Sequence, residues 1–173
     1  MDKSEICSAL LQAFSKDFEK EEMPIAMGKK EETGIPTDIL RVGLTDYGLM
    51  PGVLAEFFFL DLPNGAEDIL YFYIVINVAE EVDETRAGQV CEAIAKLNHY
   101  IPGGAFTIDA AGKILVYKET VYLPANKPEE ELLYMMNIYT GHSLSMAEPY
   151  ISLLHGLATG ENELEEILEL LPK

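Results

Sequence analysis

Three histidines (His99, His142, His155), two cysteines (Cys7, Cys91) and several runs of acids are the side chains of this sequence that could do chemistry. A zinc site needs three or four ligands converging at about 2 Å, and HxxxH or HExxH supplies two of them from one helix face. The histidines form no such pair and the cysteines no CxxC, so no metal site is expected. A Cys–His nucleophile would have to be assembled by the fold. Cys91 falls on the inner face of a helical pattern and Cys7 follows Ile6, so both read as small buried hydrophobes. Glu80-Glu81, Glu129 to Glu131 and Glu165-Glu166 offer the paired carboxylates that acid–base chemistry uses. They sit at helix starts or on polar faces, where solvation and the helix dipole account for them. Gly103-Gly104 lacks GxGxxG and no GxxxxGK[ST] occurs, which leaves no phosphate-cradling loop. The residues predict no catalytic group, no cofactor and no enzyme.

The elements that would position any site must first bury a core. With 173 residues, 49% hydrophobic and 24% charged, the composition is globular and fits one domain over 1–173. The 30 acids against 12 bases, a formal charge of -18, repel phosphate backbones and anionic headgroups. Nucleic acid and membrane are therefore not expected partners. The opening MDKSEICSALLQAF lacks a basic stretch and a long apolar core, and no apolar run reaches the roughly 18 residues of a spanning helix. Together with the two widely spaced cysteines, this places the expected location in the cytoplasm.

Ile6, Leu10, Leu11, Phe14 and Phe18 recur at helical spacing, with Asp2 and Glu5 placed as a capping box. Glu21 to Thr37 dissolves into charges, Pro24, Gly28, Gly34 and Pro36, and reads as a surface connection before a short strand at Asp38 to Leu44. Val53 to Leu62 and Ile69 to Val78 are aromatic and β-branched and flank Pro63-Asn64-Gly65, which predicts an antiparallel hairpin. Neither run alternates cleanly, so apolar side chains point to both faces of the sheet and both need cover. Ala87, Val90, Cys91, Ile94 and Ile101 line a helix that starts near Asp83 to Thr85 and stops at Pro102-Gly103-Gly104. Asn98 falls over Cys91 on that face, and an inward amide left unpaired costs on the order of 1 to 3 kcal/mol. It is expected to tie the helix end to neighbouring backbone. Phe106 and Ile108 alternate, a turn with Gly112 follows, and Lys113 to Leu123 completes a second hairpin. Pro128 and Glu129 to Glu131 open a helical region through Leu132, Met135, Met136 and Tyr139, then Met146, Tyr150, Leu153, Leu154 and Leu157. Gly141, Pro149, Gly156 and Gly160 divide it into separate or kinked helices, and Leu164, Ile167, Leu168 and Leu171 form a last one. The order predicts an α+β fold, a twisted antiparallel sheet of about five strands with N-terminal, central and C-terminal helices packed on it.

The stretch Ala95 to Tyr122, AKLNHYIPGGAFTIDAAGKILVYKETVY, resembles the YbjN-like family of bacterial proteins. There a helix ending in Leu-Asn leads through a Gly-containing turn into a strand, an acidic turn with Gly and a second strand. Leu97-Asn98, Gly104, Phe106, Ile108-Asp109, Gly112, Ile114 and Tyr117 occupy those places, and Pro149-Tyr150 and Gly156 agree more weakly. The resemblance implies a fold similar to type III secretion chaperones, often dimeric, and a chaperone-like or regulatory binding role with no established active site. Asn98, Gly104, Asp109 and Gly112 take structural roles in it. Met23 to Thr37 and the terminal helix depart from the family pattern.

The apolar hairpin then carries the functional expectation, a non-enzymatic chaperone-like or regulatory module that holds another protein or peptide segment and forms a homodimer. Phe57, Phe59, Tyr71 and Tyr73 are its candidate contacts for protein binding or the dimer interface, and the same four could instead be core. The competing expectation is a small-molecule binder or enzyme with a pocket between sheet and helices, using Asp109, His99 or a tyrosine.

Overall fold

Side chains alternate across a strand, so a strand with apolar residues at every position has to commit one parity to the core. A computed structural model describes residues 3–33, 37–62 and 64–171 and shows that commitment. Asp2 of the expected capping box, Gly34, Pro36 and Pro63 lie outside the described residues. The elements run α1 (Lys3–Lys20), β1 (Ile25–Gly28), α2 (Lys30–Thr33), β2 (Ile39–Tyr47), β3 (Met50–Leu60), β4 (Ile69–Ala79), α3 (Ala87–Leu97), β5 (Ala105–Ile108), β6 (Leu115–Pro124), α4 (Glu129–Thr159) and α5 (Leu164–Glu169). The strands form one antiparallel sheet in the order β1-β2-β3-β4-β6-β5, with the helices packed on it. The fold is α+β as expected, with one strand more.

The chain packs as two compact units, 1–44 with 54–75 and 120–142, and 45–53 with 76–119 and 143–173. In the first, α1 buries Leu10, Leu11, Phe14 and Phe18 along one stripe. Phe14 is the hub, with ring centroids 5.0 Å from Phe18, 5.5 Å from Phe57 and 5.7 Å from Phe72, all edge-to-face. Such pairs add about 0.5–1.5 kcal/mol each to the area they bury. The additional strand, β1, pairs antiparallel with β2, Ile25 opposite Val42 and Gly28 opposite Ile39. Read as a surface connection, it escaped because four residues between Pro24 and Lys29 carry too short an alternation.

In the second unit α3 buries Val90, Ala93, Ile94 and Leu97 and packs on β5 and α5. Cys91 lies about 100° round from Val90 and is exposed, which corrects its expected place on the inner face. Phe106 of β5 sits opposite Tyr117 of β6, rings 5.3 Å apart, with Tyr150 of α4 at 6.4 Å. Gly104 has φ +64°, and a Cβ there would overlap the Tyr117 hydroxyl, so no other residue fits that turn.

The expected separate or kinked helices after Pro128 are one helix of 31 residues. Pro149 removes a hydrogen bond to the Ser145 carbonyl, but both residues are exposed, where losing one helix bond is cheapest, and the helix runs on. Its buried stripe is Leu132, Met136, Thr140, Ser143, Ala147, Ile151 and Leu154. Tyr139, expected on that stripe, is 38% exposed.

Candidate protein-binding surface

In the first unit the two faces of β3 and β4 are unequal. Ala55, Phe57 and Phe59 of β3 and Leu70, Phe72 and Ile74 of β4 are buried, at most 2% exposed. Their alternates, Leu54, Glu56, Phe58 and Leu60, then Ile69, Tyr71, Tyr73 and Val75, are half-buried. Neighbouring side chains on one sheet face give half-burial, whereas full burial needs a helix on top. Among the described residues, α1 packs on the buried face through Phe14 and Phe18, while the second face stays half-buried along both strands.

This corrects two of the four contact candidates. Phe57 is 0% and Phe59 2% exposed, and both pack into the aromatic core with Phe72, so neither offers a contact surface. Tyr71 and Tyr73 do lie on the half-buried face, and Phe58 and Tyr122 join them there. Phe58 and Tyr73 meet edge-on at 5.1 Å, and Tyr71 and Tyr122 at 5.6 Å. Beside them on β2, Arg41 Nε donates to Glu56 Oε1 at 2.9 Å. The band therefore crosses β2, β3, β4 and β6, with Arg41 and Glu56 neutralising each other within it. Tyr122 is 65% exposed. At the loop end, the Ala66 N–H donates to the Tyr71 hydroxyl at 2.9 Å. Lys3 Nζ donates to the Ala66 carbonyl at 3.2 Å and stands 5.7 Å from the Tyr71 ring centre. A signal for this face existed in the sequence: Glu56 shares parity with Phe58, and every tyrosine of β4 shares parity with Asn77.

A cavity of about 1070 Å³ in the same unit is bounded by α1, the β1–α2 connection and the end of β3. At its wall Asp38 accepts from Ser8 Oγ at 2.6 Å, Lys29 Nζ at 3.0 Å and the Lys30 N–H at 3.1 Å. Burial alone would raise the Asp38 carboxyl, but the three donors outweigh it and hold the group below the ordinary carboxylate range. Burial pushes the Cys7 thiol up to about 11, against the pull of Lys3 and with the push of Asp61. A thiol so raised is protonated at neutral pH and is no nucleophile. The cavity thus holds an ordered ion pair beside a thiol that is not activated.

Asp109 and His99, the residues expected to serve a pocket, belong to the second unit and are both exposed. Asp109 closes the β5–β6 turn by accepting from the N–H groups of Lys113 at 2.6 Å and Ile114 at 2.9 Å. These bonds, Ile114's first, lower its carboxyl below the usual range. Gly112 in that turn has φ +71°. His99 stacks edge-on with Tyr100, and His155 Nδ1 lies 2.8 Å from the Val78 carbonyl. Asn98 donates through Nδ2 to the Phe106 carbonyl and accepts its N–H through Oδ1, each at 2.9 Å. Among the described residues no group of three or more His, Cys, Asp or Glu could hold a metal ion. No helix among them is long and apolar enough to cross a membrane. No family model matches the chain, and no curated protein matches it.

Proposed function

We propose that this chain is a non-enzymatic, chaperone-like or regulatory protein-binding module, and that the aromatic face of β2, β3, β4 and β6 is its contact surface. One observation carries the reading: a strand pair whose first face is sealed by α1 leaves Phe58, Tyr71, Tyr73 and Leu60 half-buried on the other. Aromatic side chains with a polar tip suit such a role, since they bring large contact area at little conformational cost and tolerate water until a partner arrives. The pattern shared with the YbjN-like family points the same way. The raised Cys7 thiol and the saturated Asp38 argue against chemistry in the cavity.

The test uses a permanently unfolded client, reduced α-lactalbumin, and the double variant Phe58→Ser/Tyr73→Ser, which leaves the sealed face untouched. Wild-type protein is expected to suppress aggregation of the client. The variant, with an unchanged circular dichroism spectrum, is expected to lose most of that effect. A folded double variant as active as wild type, or a wild type without effect, overturns the reading.

A further inference from the structure

We propose that the occupant of this face is a cationic amphipathic polypeptide segment. This rests on the protein-binding reading and names the partner's chemistry. The aromatic band itself is close to neutral, because Arg41 and Glu56 pair within it at 2.9 Å. Its loop end is not. The β3–β4 connection carries Glu67 and Asp68 beside Ala66, both exposed and neither of them in an ion pair among the described residues, whereas Asp61 lines the cavity beside α1 and acts on Cys7. Lys3, which reaches this loop, already has its ammonium on the Ala66 carbonyl and near the Tyr71 ring, and Lys127, beyond Ala125, pairs with Glu131 at 2.8 Å. The Ala125 N–H donates to the Asp68 carbonyl at 2.7 Å. That bond ties the β6–α4 junction, with exposed Glu129 and Glu130 just beyond it, to the same end.

The apolar band and the acids therefore form one surface, greasy across the strands and negative at the loop. Four strands at about 4.8 Å spacing span about 14 Å, enough for a helix about 10 Å across or for an extended segment. Such a segment would lay apolar residues on Phe58, Tyr73 and Tyr71 and turn lysines or arginines toward Glu67 and Asp68. Complementary charge steers encounter and rejects wrong partners. A second copy of this chain is such a wrong partner, because it brings another charge of -18 to a face whose open end is already acidic.

Fluorescence anisotropy with labelled peptides of about 18 residues tests this, using leucine at helical spacing and Lys, Gln or Glu elsewhere. The Leu/Lys peptide is expected to bind about tenfold or more tighter than Leu/Gln, and Leu/Glu not at all. Phe58→Ser/Tyr73→Ser and Glu67→Gln/Asp68→Asn are each expected to weaken Leu/Lys about tenfold, and sedimentation equilibrium to show a monomer. Leu/Lys binding that survives Phe58→Ser/Tyr73→Ser would be diffuse attraction to an acidic protein and would overturn the proposal. So would a stable dimer that Phe58→Ser/Tyr73→Ser dissociates. Equal binding of Leu/Gln and Leu/Lys, abolished by the same variant, would sink the cationic partner while leaving a protein-binding face. Failure of every peptide and of the unfolded client together would remove both.

Discussion

Asn98 does for β5 what a neighbouring strand would do. β5 is four residues long and ends the sheet, and a free edge with open N–H and C=O groups invites pairing with other chains. The amide of Asn98 presents one acceptor and one donor to the two backbone groups of Phe106, each at 2.9 Å. Asn98→Ala leaves both groups without a protein partner and is expected to lower unfolding stability by about 1–3 kcal/mol in urea titrations. Asn98→Asp keeps the acceptor but sets a carboxylate against the Phe106 carbonyl, and is expected to destabilise as well. A change under about 0.5 kcal/mol for Asn98→Ala would mean that water replaces the amide at no cost. The tie that the sequence led one to expect of this residue is present, but its ground is not, since Asn98 was placed inward by lying over Cys91 and Cys91 is exposed. Cys91 was not readable from sequence, since a cysteine one position from Val90 reads equally well on either side of the stripe, and only the packing of α3 on β5 and α5 decides.

At the scale of elements, hairpins and long helices were legible where the period was long and the punctuation strong. β1 was lost because its pairing with β2 is a tertiary fact that four residues do not announce. The continuity of α4 was hidden by its own stripe, whose middle is Thr140, Ser143 and Ala147, residues too small or polar to register as a hydrophobic face. The parity of β3 was legible in principle through Glu56, yet the run Phe57, Phe58, Phe59 masked it, which is how Phe57 and Phe59 came to stand where Phe58 belongs. Asp38 joins elements that the sequence left unrelated, linking Ser8 of α1 to Lys29 and Lys30 at the start of α2. Its side chain is 9% exposed, and its folded carboxyl lies below the ordinary value near 3.9. The unfolded chain therefore binds the proton more readily. The clamp's contribution is complete above the unfolded value and is lost as pH falls through the folded one. Asp38→Asn should flatten that part of the acid limb of the stability profile, measured by urea midpoints between about pH 5 and pH 2. An unchanged limb in the variant would show that other carboxylates carry it.

For the molecule as a whole, charge is the largest imbalance. The ion pairs among the described residues engage Asp17, Asp38, Glu56, Glu92, Glu131 and Glu163, a small share of 30 acids facing 12 bases. Exposed pairs contribute about 0–1 kcal/mol each and weaken with salt. Acids in such excess over bases repel one another in the compact state, and salt relieves that repulsion as the screening length falls from about 30 Å at 0.01 M to about 10 Å at 0.1 M. With a formal charge of -18 to screen and exposed pairs worth so little, relief is expected to outweigh loss. The melting temperature is expected to rise between about 0.01 M and 0.5 M NaCl, by about 2–4 °C for each 1 kcal/mol regained. The peptide interaction should run the other way, because a cationic segment gives up its attraction to Glu67 and Asp68 under the same screening. A protein that melts higher while releasing its Leu/Lys peptide separates self-repulsion from partner attraction in one titration. A melting temperature that stays flat or falls would show that the acids are already compensated.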